Sequence, residues 1–198
     1  FLSILAIELC IVLKRKVTDT LPIAGMMIIL GLYFLSLFDM MKYTILFVVI
    51  FLLGLAAYIF LQMKRKKVLL RDSLKNDICI PGFIAFLLLV ILIYYISINT
   101  YCFQWDEFSH WSTTVKDMFY TNRLSIYEDS ITTFRQYQPG MALWQYFFMT
   151  IYPRWEDGVI IFAYNIYLIL MMIPMFSNIK WKQLWIVPIM LVVVFCMP

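Results

Sequence analysis

Long apolar runs, separated by short polar breaks, dominate this sequence. Three of them, 21–38, 43–63 and 80–98, lie in the first half of the chain, and a fourth, 159–176, lies in the second. A bilayer core about 30 Å thick needs about 20 apolar residues per helix. Since backbone polar groups find no water partners in lipid, these four runs are predicted to be transmembrane helices.

Three other apolar segments are shorter or incomplete. Segment 1–13 is followed by three basic residues, 14–16. A signal peptide carries its positive charge before the apolar region, so this segment is predicted to be the tail of a spanning helix. Segment 140–152 is short enough to be either a thin crossing or a re-entrant helix. Segment 185–198 is predicted to begin another span, and we expect the chain to be a fragment of a longer protein.

Clusters of basic residues predict the orientation. The clusters at 14–16 and 64–75 lie two predicted spans apart and therefore on one side of the membrane. The positive-inside rule makes that side cytoplasmic. The turn at 39–42 and the polar segment after Ile98 are then expected to face outward. Lys180 and Lys182 face inward only if segment 140–152 does not cross.

The composition agrees with a membrane protein. Of 198 residues 64% are hydrophobic and 14% charged, with a mean hydropathy of +0.86, whereas soluble domains have about 45–50% apolar and about 25% charged residues. The net charge of +4 is explained by topology, and no nucleic-acid partner is predicted. The predicted fold is all-α: a polytopic transmembrane bundle with amino-terminal helices in 1–98, an exoplasmic loop with surface helices in 99–137, and further helices in 138–198.

The cysteines offer little chemistry. Their spacing matches neither a metal site nor a redox pair, so they are predicted to pack as small apolar residues. The four are Cys10, Cys79, Cys102 and Cys196.

The most unusual stretch is 104–111, which holds two adjacent carboxylates, the single histidine of the chain and two tryptophans. Trp105 and Phe108 flank the acidic pair, which suggests a partly dry environment where a carboxylate pKa rises toward that of a useful base. Asp106 and His110 are four residues apart, so a helix would place them on one face. The alternative is that Asp106 and Glu107 are solvated charges at a helix exit.

Residues 108–120 are expected to form an amphipathic helix lying on the membrane. The spacing of its apolar side chains approximates a helical stripe. The stripe consists of Phe108, Trp111, Val115, Met118 and Phe119.

Three further polar residues in the loop are candidates for binding. Arg123 and Arg135 carry the guanidinium fork that suits a phosphate, either of a substrate or of a lipid head group. His110 has three open interpretations: a structural or hydrogen-bonding residue, a catalytic or substrate-orienting residue, or a metal ligand. No third ligand has metal-like spacing, so no metal site or cofactor is assigned, although a divalent ion remains open.

Two motifs together resemble the GT-C superfamily of membrane glycosyltransferases, near the protein O-mannosyltransferase and aminoarabinose-transferase-like group. The first is Trp105-Asp106-Glu107, after the 80–98 span, and the second is Tyr137-Gln138-Pro139-Gly140, which opens the next apolar helix. The resemblance covers residues 80–176. It also favours a membrane crossing by segment 140–152, in contrast to the two lysines after 176.

The resemblance implies transfer of a sugar from a polyprenyl-phosphate donor to a glycan, lipid or protein acceptor on the outer face of the plasma membrane. Asp106 would be the catalytic base with Glu107 in support. The substrate-binding residues implied with them are His110, Arg123, Arg135 and Gln138. The alternatives are a transporter or flippase for a lipid-linked or anionic substrate, and a non-catalytic subunit of an envelope-polysaccharide assembly complex. A transporter would carry ionisable residues within its spans, whereas the predicted spans here are almost free of charge, with Glu8 as the clear exception.

Overall fold

The computed structural model describes residues 1–65, 77–133 and 135–189, and this part of the chain is helical, without a β-strand. Short 3₁₀ turns occupy Met41–Tyr43, Ile173–Phe176 and Trp181–Gln183, and a π-helical turn occupies Glu107–Trp111. The α-helices are α1 (Leu2–Leu13), α2 (Val17–Leu37), α3 (Thr44–Lys64), α4 (Pro81–Ser97), α5 (Ser112–Thr121), α6 (Gly140–Ile151) and α7 (Asp157–Met172).

Three helical segments are long and apolar enough to cross a membrane: Val17–Leu37, Met41–Lys64 and Asp157–Phe176. They coincide with three of the four predicted full-length spans and indicate a membrane protein. The fourth predicted span forms α4, which begins at Pro81, where a missing backbone N–H costs little. With 17 residues, α4 is shorter than the other three.

Helix α2 begins at Val17, four residues before the predicted start at Leu21. The two threonines of its first turn are buried and hydrogen-bonded rather than left in an aqueous loop. The Thr20 hydroxyl donates to the Ala6 carbonyl at 2.7 Å, and the Thr18 hydroxyl donates to that of Ser177 at 3.0 Å. These tertiary hydrogen bonds allow the helix to extend beyond the apolar run.

Two predictions fall largely on residues that the structure does not describe. Most of the basic connection 64–75 lies in the undescribed range 66–76. The predicted span 185–198 is described only to residue 189, of which 186–189 are helical.

The chain divides into two compact units. The first consists of the described parts of Phe1–Gly25, Ile50–Ile91 and Leu168–Pro198. Here the Lys16 ammonium donates to the Ser177 carbonyl at 2.7 Å and to Asn178 Oδ1 at 2.9 Å. A Cβ added to Gly82 would lie 2.9 Å from the Phe176 carbonyl oxygen. The start of α2, the start of α4 and the end of α7 are therefore in close contact in this unit.

The second unit consists of Met26–Val49 and Leu92–Tyr167. Its central helix is α6, whose Trp144 and Tyr146 are fully buried. The Trp144 indole donates to the Ala163 carbonyl at 2.8 Å. The Tyr146 hydroxyl lies 2.9 Å from Asn122 Oδ1 and 3.2 Å from the Met41 carbonyl oxygen. The predicted three-part division at 98 and 137 stays a prediction.

Helix α5 lies within the predicted amphipathic segment 108–120, but its inner apolar residues pack on protein. Val115 and Met118 are fully buried. Val115 forms a core with Met149 of α6 and Val159 and Ile160 of α7. The expected position on the membrane surface is therefore wrong for this part of the stripe, because α6 and α7 cover it.

Candidate functional site

The acidic pair lies in the turn that leads from α4 to α5, and its two carboxylates have different surroundings. Oε2 of Glu107 accepts hydrogen bonds from the backbone N–H groups of Phe103 and Gln104, both at 3.2 Å. Glu107 thereby caps the first helical turn, where backbone donors lack partners. The Asp106 side chain makes no hydrogen bond within the described part of the chain. Glu107 holds the turn, and the Asp106 carboxylate remains available to a ligand.

The turn is completed by a π-helical segment, Glu107–Trp111, directly before α5. Such segments insert an extra residue into a helical turn and occur often at functional sites. Asp106, which directly precedes this segment, lines a large pocket. His110, which lies within the segment, lines a separate and smaller pocket. The four-residue spacing of Asp106 and His110 therefore does not bring them to one pocket, in contrast to the expectation from sequence.

The large pocket has a volume of about 650 Å³. This lies within the range of roughly 300–1,000 Å³ that is usual for small-molecule sites. Its lining comes from two parts of the chain. The segment that leads into α5 contributes Cys102, Gln104, Asp106, Glu107, Trp111 and Ser112, and α6 and α7 contribute Met141, Gln145, Ile160, Ile161 and Tyr164.

The aromatic residues that flank the acidic pair do not shield it from water. Trp105 and Phe108 pack edge to face, with ring centroids 5.4 Å apart, but their side chains are 74% and 46% exposed. Asp106 itself is exposed. The expectation of a partly dry environment around Asp106 is wrong, because the two rings contact each other and leave the carboxylate open.

Two residues of this site were missed from the sequence. Gln145 is 7% exposed on α6 and lines the pocket, with Nε2 donating to the Ile160 carbonyl at 3.4 Å. Asp157, the first residue of α7, accepts hydrogen bonds from the Cys102 backbone N–H at 3.2 Å and from the Trp155 indole at 2.9 Å. A polar amide within an apolar helix was the available signal for Gln145. Nothing in the sequence linked Asp157 to the loop.

The Asp157 carboxylate also affects the pKa of the Cys102 thiol. Burial raises the pKa of the Cys102 thiol to about 11, and the negative charge of Asp157 adds to this effect. A thiol with a raised pKa is a poor nucleophile near neutral pH. Cys102 therefore forms part of the pocket wall and is not a candidate for covalent chemistry.

The two predicted phosphate-binding arginines do not line the pocket of the acidic pair. Arg123 pairs with Asp129, lies over the Tyr127 ring at 5.0 Å, and lines a third pocket of about 280 Å³ with Asp39 and Lys42. The hydrogen bond from Arg123 lowers the pKa of the Asp129 carboxyl, so this pair is charged at neutral pH.

Arg135 belongs to the smaller pocket. It donates to the Glu128 carbonyl at 2.7 Å and lines this pocket with His110 and Gln138. The volume is about 20 Å³, enough for about one water molecule. The four predicted substrate-binding residues are therefore divided between two pockets, neither of which contains Asp106.

His110 is buried within an aromatic cluster. Its ring centroid lies 4.7 Å from those of Trp111 and Tyr137. Burial lowers the pKa of His110, and the nearby charge of Asp106 opposes that shift. The imidazole packs against both rings, which also stack on each other with centroids 5.5 Å apart, and this packing agrees best with the structural interpretation of the residue.

A buried acid, Asp117, secures the loop that follows α5. Its Oδ2 accepts a hydrogen bond from the Ser130 hydroxyl at 2.6 Å, and the Thr114 and Thr132 hydroxyls lie 2.6 Å apart. Asn122 ends α5 with a left-handed backbone (φ 53°). These contacts hold residues 122–133 against α5.

A metal centre finds no support among the described residues, where no group of three His, Cys, Asp or Glu side chains is close enough to bind an ion. The fold and the site together define an all-helical membrane protein with a pocket whose lining includes two carboxylates. No family model, curated protein or solved structure matches the chain.

Proposed function

We propose that this protein is a membrane glycosyltransferase that moves a sugar from a polyprenyl-phosphate donor to an acceptor hydroxyl, with Asp106 as the catalytic base. One observation carries the proposal: the Asp106 carboxylate, which has no hydrogen-bond partner among the described residues, lines a pocket of about 650 Å³ together with side chains of α6 and α7. The second of these helices is part of a membrane-length segment. An amphiphilic substrate fits such a site, with its polar head near Asp106.

The chemistry needs one proton acceptor at this position. The acceptor hydroxyl attacks the anomeric carbon of the donor sugar, and Asp106 takes the hydroxyl proton. The bond between the anomeric carbon and the phosphate oxygen breaks, and polyprenyl phosphate leaves with the bonding electrons. General-base catalysis contributes about 10²–10⁴-fold to such a step. Glu107 supports the base indirectly, by capping the turn that carries it.

Contacts within the second unit support an outward position for the loop. The Tyr127 hydroxyl lies 3.5 Å from Asp39 Oδ1, and the Tyr146 hydroxyl lies 3.2 Å from the Met41 carbonyl oxygen. The 39–42 turn and the loop 99–137 therefore share one side. The basic clusters assign both to the outer face of the plasma membrane.

Contacts within the first unit are relevant to whether the short helix α6 crosses the membrane. Lys16 binds Ser177 and Asn178, so the chain after α7 shares the side of the first basic cluster. If α7 returns the chain to the cytoplasmic side, α6 must begin and end on the outer side. We therefore favour a partly embedded α6 that does not cross, against the expectation from the resemblance. Lys180 and Lys182 then face inward, as the positive-inside rule requires.

Exposed aromatic residues after α4 support a position of the pocket at the membrane surface. Tyr101, Phe103 and Trp105 are 71%, 78% and 74% exposed. Tyr and Trp side chains prefer the boundary between lipid and water. This segment leads directly into the Asp106 turn, so an amphiphilic substrate would meet the pocket at the level of its own head group.

The decisive experiment measures sugar transfer in proteoliposomes that contain a radiolabelled polyprenyl-phosphate hexose and an extract of cell-envelope lipids and glycans. Asp106→Asn keeps the shape of the side chain but cannot take a proton, and it should lower the rate by about 10²-fold or more. Glu128→Gln is the matched control, since Glu128 is exposed in the same loop and does not line the pocket. Its rate should equal that of the wild type.

Two results would count against the proposal. Transfer that survives Asp106→Asn unchanged would remove Asp106 from the mechanism. If the wild-type protein moves the intact lipid-linked sugar between leaflets without transferring the sugar, the transporter alternative is correct.

A further inference from the structure

The large pocket lacks the charges that a phosphate requires. Among the residues that the structure describes, its lining includes the carboxylates of Asp106 and Glu107 but no lysine or arginine. Arg123 and Arg135 line other pockets and are bonded there to Asp129 and to the Glu128 carbonyl. A phosphate placed beside Asp106 would meet a like charge without a compensating partner, which disfavours its binding strongly.

Gln145 supplies a second, independent feature of the same pocket. It is more than nine-tenths buried, and its Nε2 donates one long hydrogen bond of 3.4 Å to the Ile160 carbonyl. Its Oε1 accepts no hydrogen bond from any residue in the described ranges. Buried amides are normally satisfied by protein, water or ligand. Since Gln145 lines the pocket, a hydroxyl-bearing ligand would complete its bonding.

The remaining walls set the character of the ligand. Met141, Ile160 and Ile161 form an apolar surface, whereas Ser112, Gln104 and Tyr164 offer neutral hydrogen-bonding groups. An alkyl or isoprenoid chain would lie on the first surface, and hydroxyl groups would bind to the second. Glu107 is already bonded to two backbone N–H groups, which reduces its pull on a cationic ligand.

We propose that this pocket is the acceptor subsite, that it takes an amphiphile with an uncharged, polyhydroxylated head group, and that Gln145 positions one of its hydroxyls for Asp106. The proposal rests on the proposed function for the role of the bound molecule as acceptor. The donor phosphate lies outside this pocket. Gln145 is a positioning residue, because it holds a hydroxyl and exchanges no proton.

The test uses three photoreactive probes with the same diazirine-bearing dodecyl chain and different heads: β-glucosyl, phosphate and trimethylammonium. Each is crosslinked to the full chain in lipid nanodiscs, without any sugar donor, and the labelled peptides are mapped by mass spectrometry. The glucosyl probe should label the region 141–164, and the other two should label it at least about fivefold less. Excess unlabelled dodecyl glucoside should compete with the glucosyl probe.

Substitutions at Gln145 test the positioning role. Gln145→Leu should lower glucosyl labelling about fivefold, as expected when one ligand hydrogen bond is lost. Gln145→Met is a second variant of similar length, and both suit an apolar helix. Gln62→Leu is the matched control, because Gln62 is an amide in the apolar helix α3 and does not line the pocket. Its labelling should equal that of the wild type.

The outcomes separate this proposal from the glycosyltransferase proposal. Stronger labelling by the phosphate or ammonium probe, or unchanged labelling in both Gln145 variants, would overturn the acceptor subsite even if sugar transfer depends on Asp106. Selective glucosyl labelling that depends on Gln145 would support the subsite, even if Asp106→Asn leaves transfer unchanged and the glycosyltransferase proposal fails.

Discussion

Gly158 is the position where a single added methyl group should disturb the candidate site most clearly. It lies in the first turn of α7, directly after Asp157 and before the pocket residues Ile160 and Ile161. A Cβ at Gly158 would lie 2.8 Å from the Ile98 carbonyl oxygen and still closer to that of Ser97. Both are backbone atoms at the end of α4, so no side-chain rotation relieves the clash.

Gly158→Ala should therefore destabilise the protein. Overpacking of this kind costs about 1–3 kcal/mol, against a gain of at most about 1 kcal/mol from the helix propensity of alanine. The control is Gly54→Ala in α3, where an added Cβ meets no atom within 4 Å. That variant gains propensity without a clash, so its stability should equal or exceed that of the wild type.

The measurement is the free energy of unfolding in mixed dodecyl maltoside and sodium dodecyl sulfate micelles, followed by tryptophan emission. Gly158→Ala should be about 1–3 kcal/mol less stable than Gly54→Ala. Labelling of the pocket by the glucosyl probe should fall in Gly158→Ala as well, since Asp157 and Ile160 must shift. Equal stability of the two alanine variants would refute the close packing of α4 against α7.

Three further predictions concern residues around the site. Burial lowers the pKa of His110 below its ordinary value of 6.5, so the folded state binds fewer protons than the unfolded state near and below that pH. The free energy of unfolding should therefore be highest above pH 6.5 and should fall as the pH drops toward the folded pKa. His110→Phe should flatten this slope between pH 7.5 and 5.5 in the same unfolding assay, and an unchanged slope would contradict the assignment. Tyr146→Phe should cost about 1–2 kcal/mol by removing a buried hydroxyl from its partners, whereas Tyr95→Phe, at a side chain 73% exposed, should cost little; equal losses would argue against the bonds to Asn122 and Met41. With a pKa of about 11, Cys102 should react with maleimide far more slowly at pH 7.5 than a cysteine introduced as Ile131→Cys, an exposed position on the same predicted side of the membrane. In cells, an impermeant maleimide should label Ile131→Cys but not Lys182→Cys. Labelling of both would contradict an α6 that does not cross the membrane.

The apolar pattern was sufficient to predict the main helices. Runs 43–63 and 80–98 and segment 140–152 correspond closely to α3, α4 and α6, because a long apolar run in a membrane protein has no alternative to helix. The start of α4 at Pro81 and the turn at Asn122 were also predictable, since they depend on the local backbone chemistry of single residues. The early start of α2 was not predictable, because it depends on hydrogen bonds from Thr18 to Ser177 and from Thr20 to Ala6 that form only in the folded structure.

The sequence by itself determined the helical class, the apolar segments and the presence of an acidic pair beside α5, all of which follow from local composition and spacing. Only the tertiary structure decided which side chains share a pocket. It placed Arg123, Arg135 and His110 in pockets that do not contain Asp106, and it placed Gln145 in the pocket of the acidic pair. It also distinguished the bonded Glu107 from the open Asp106. The physical reason is that these groupings depend on the packing of α5 against α6 and α7, which joins residues far apart in the chain.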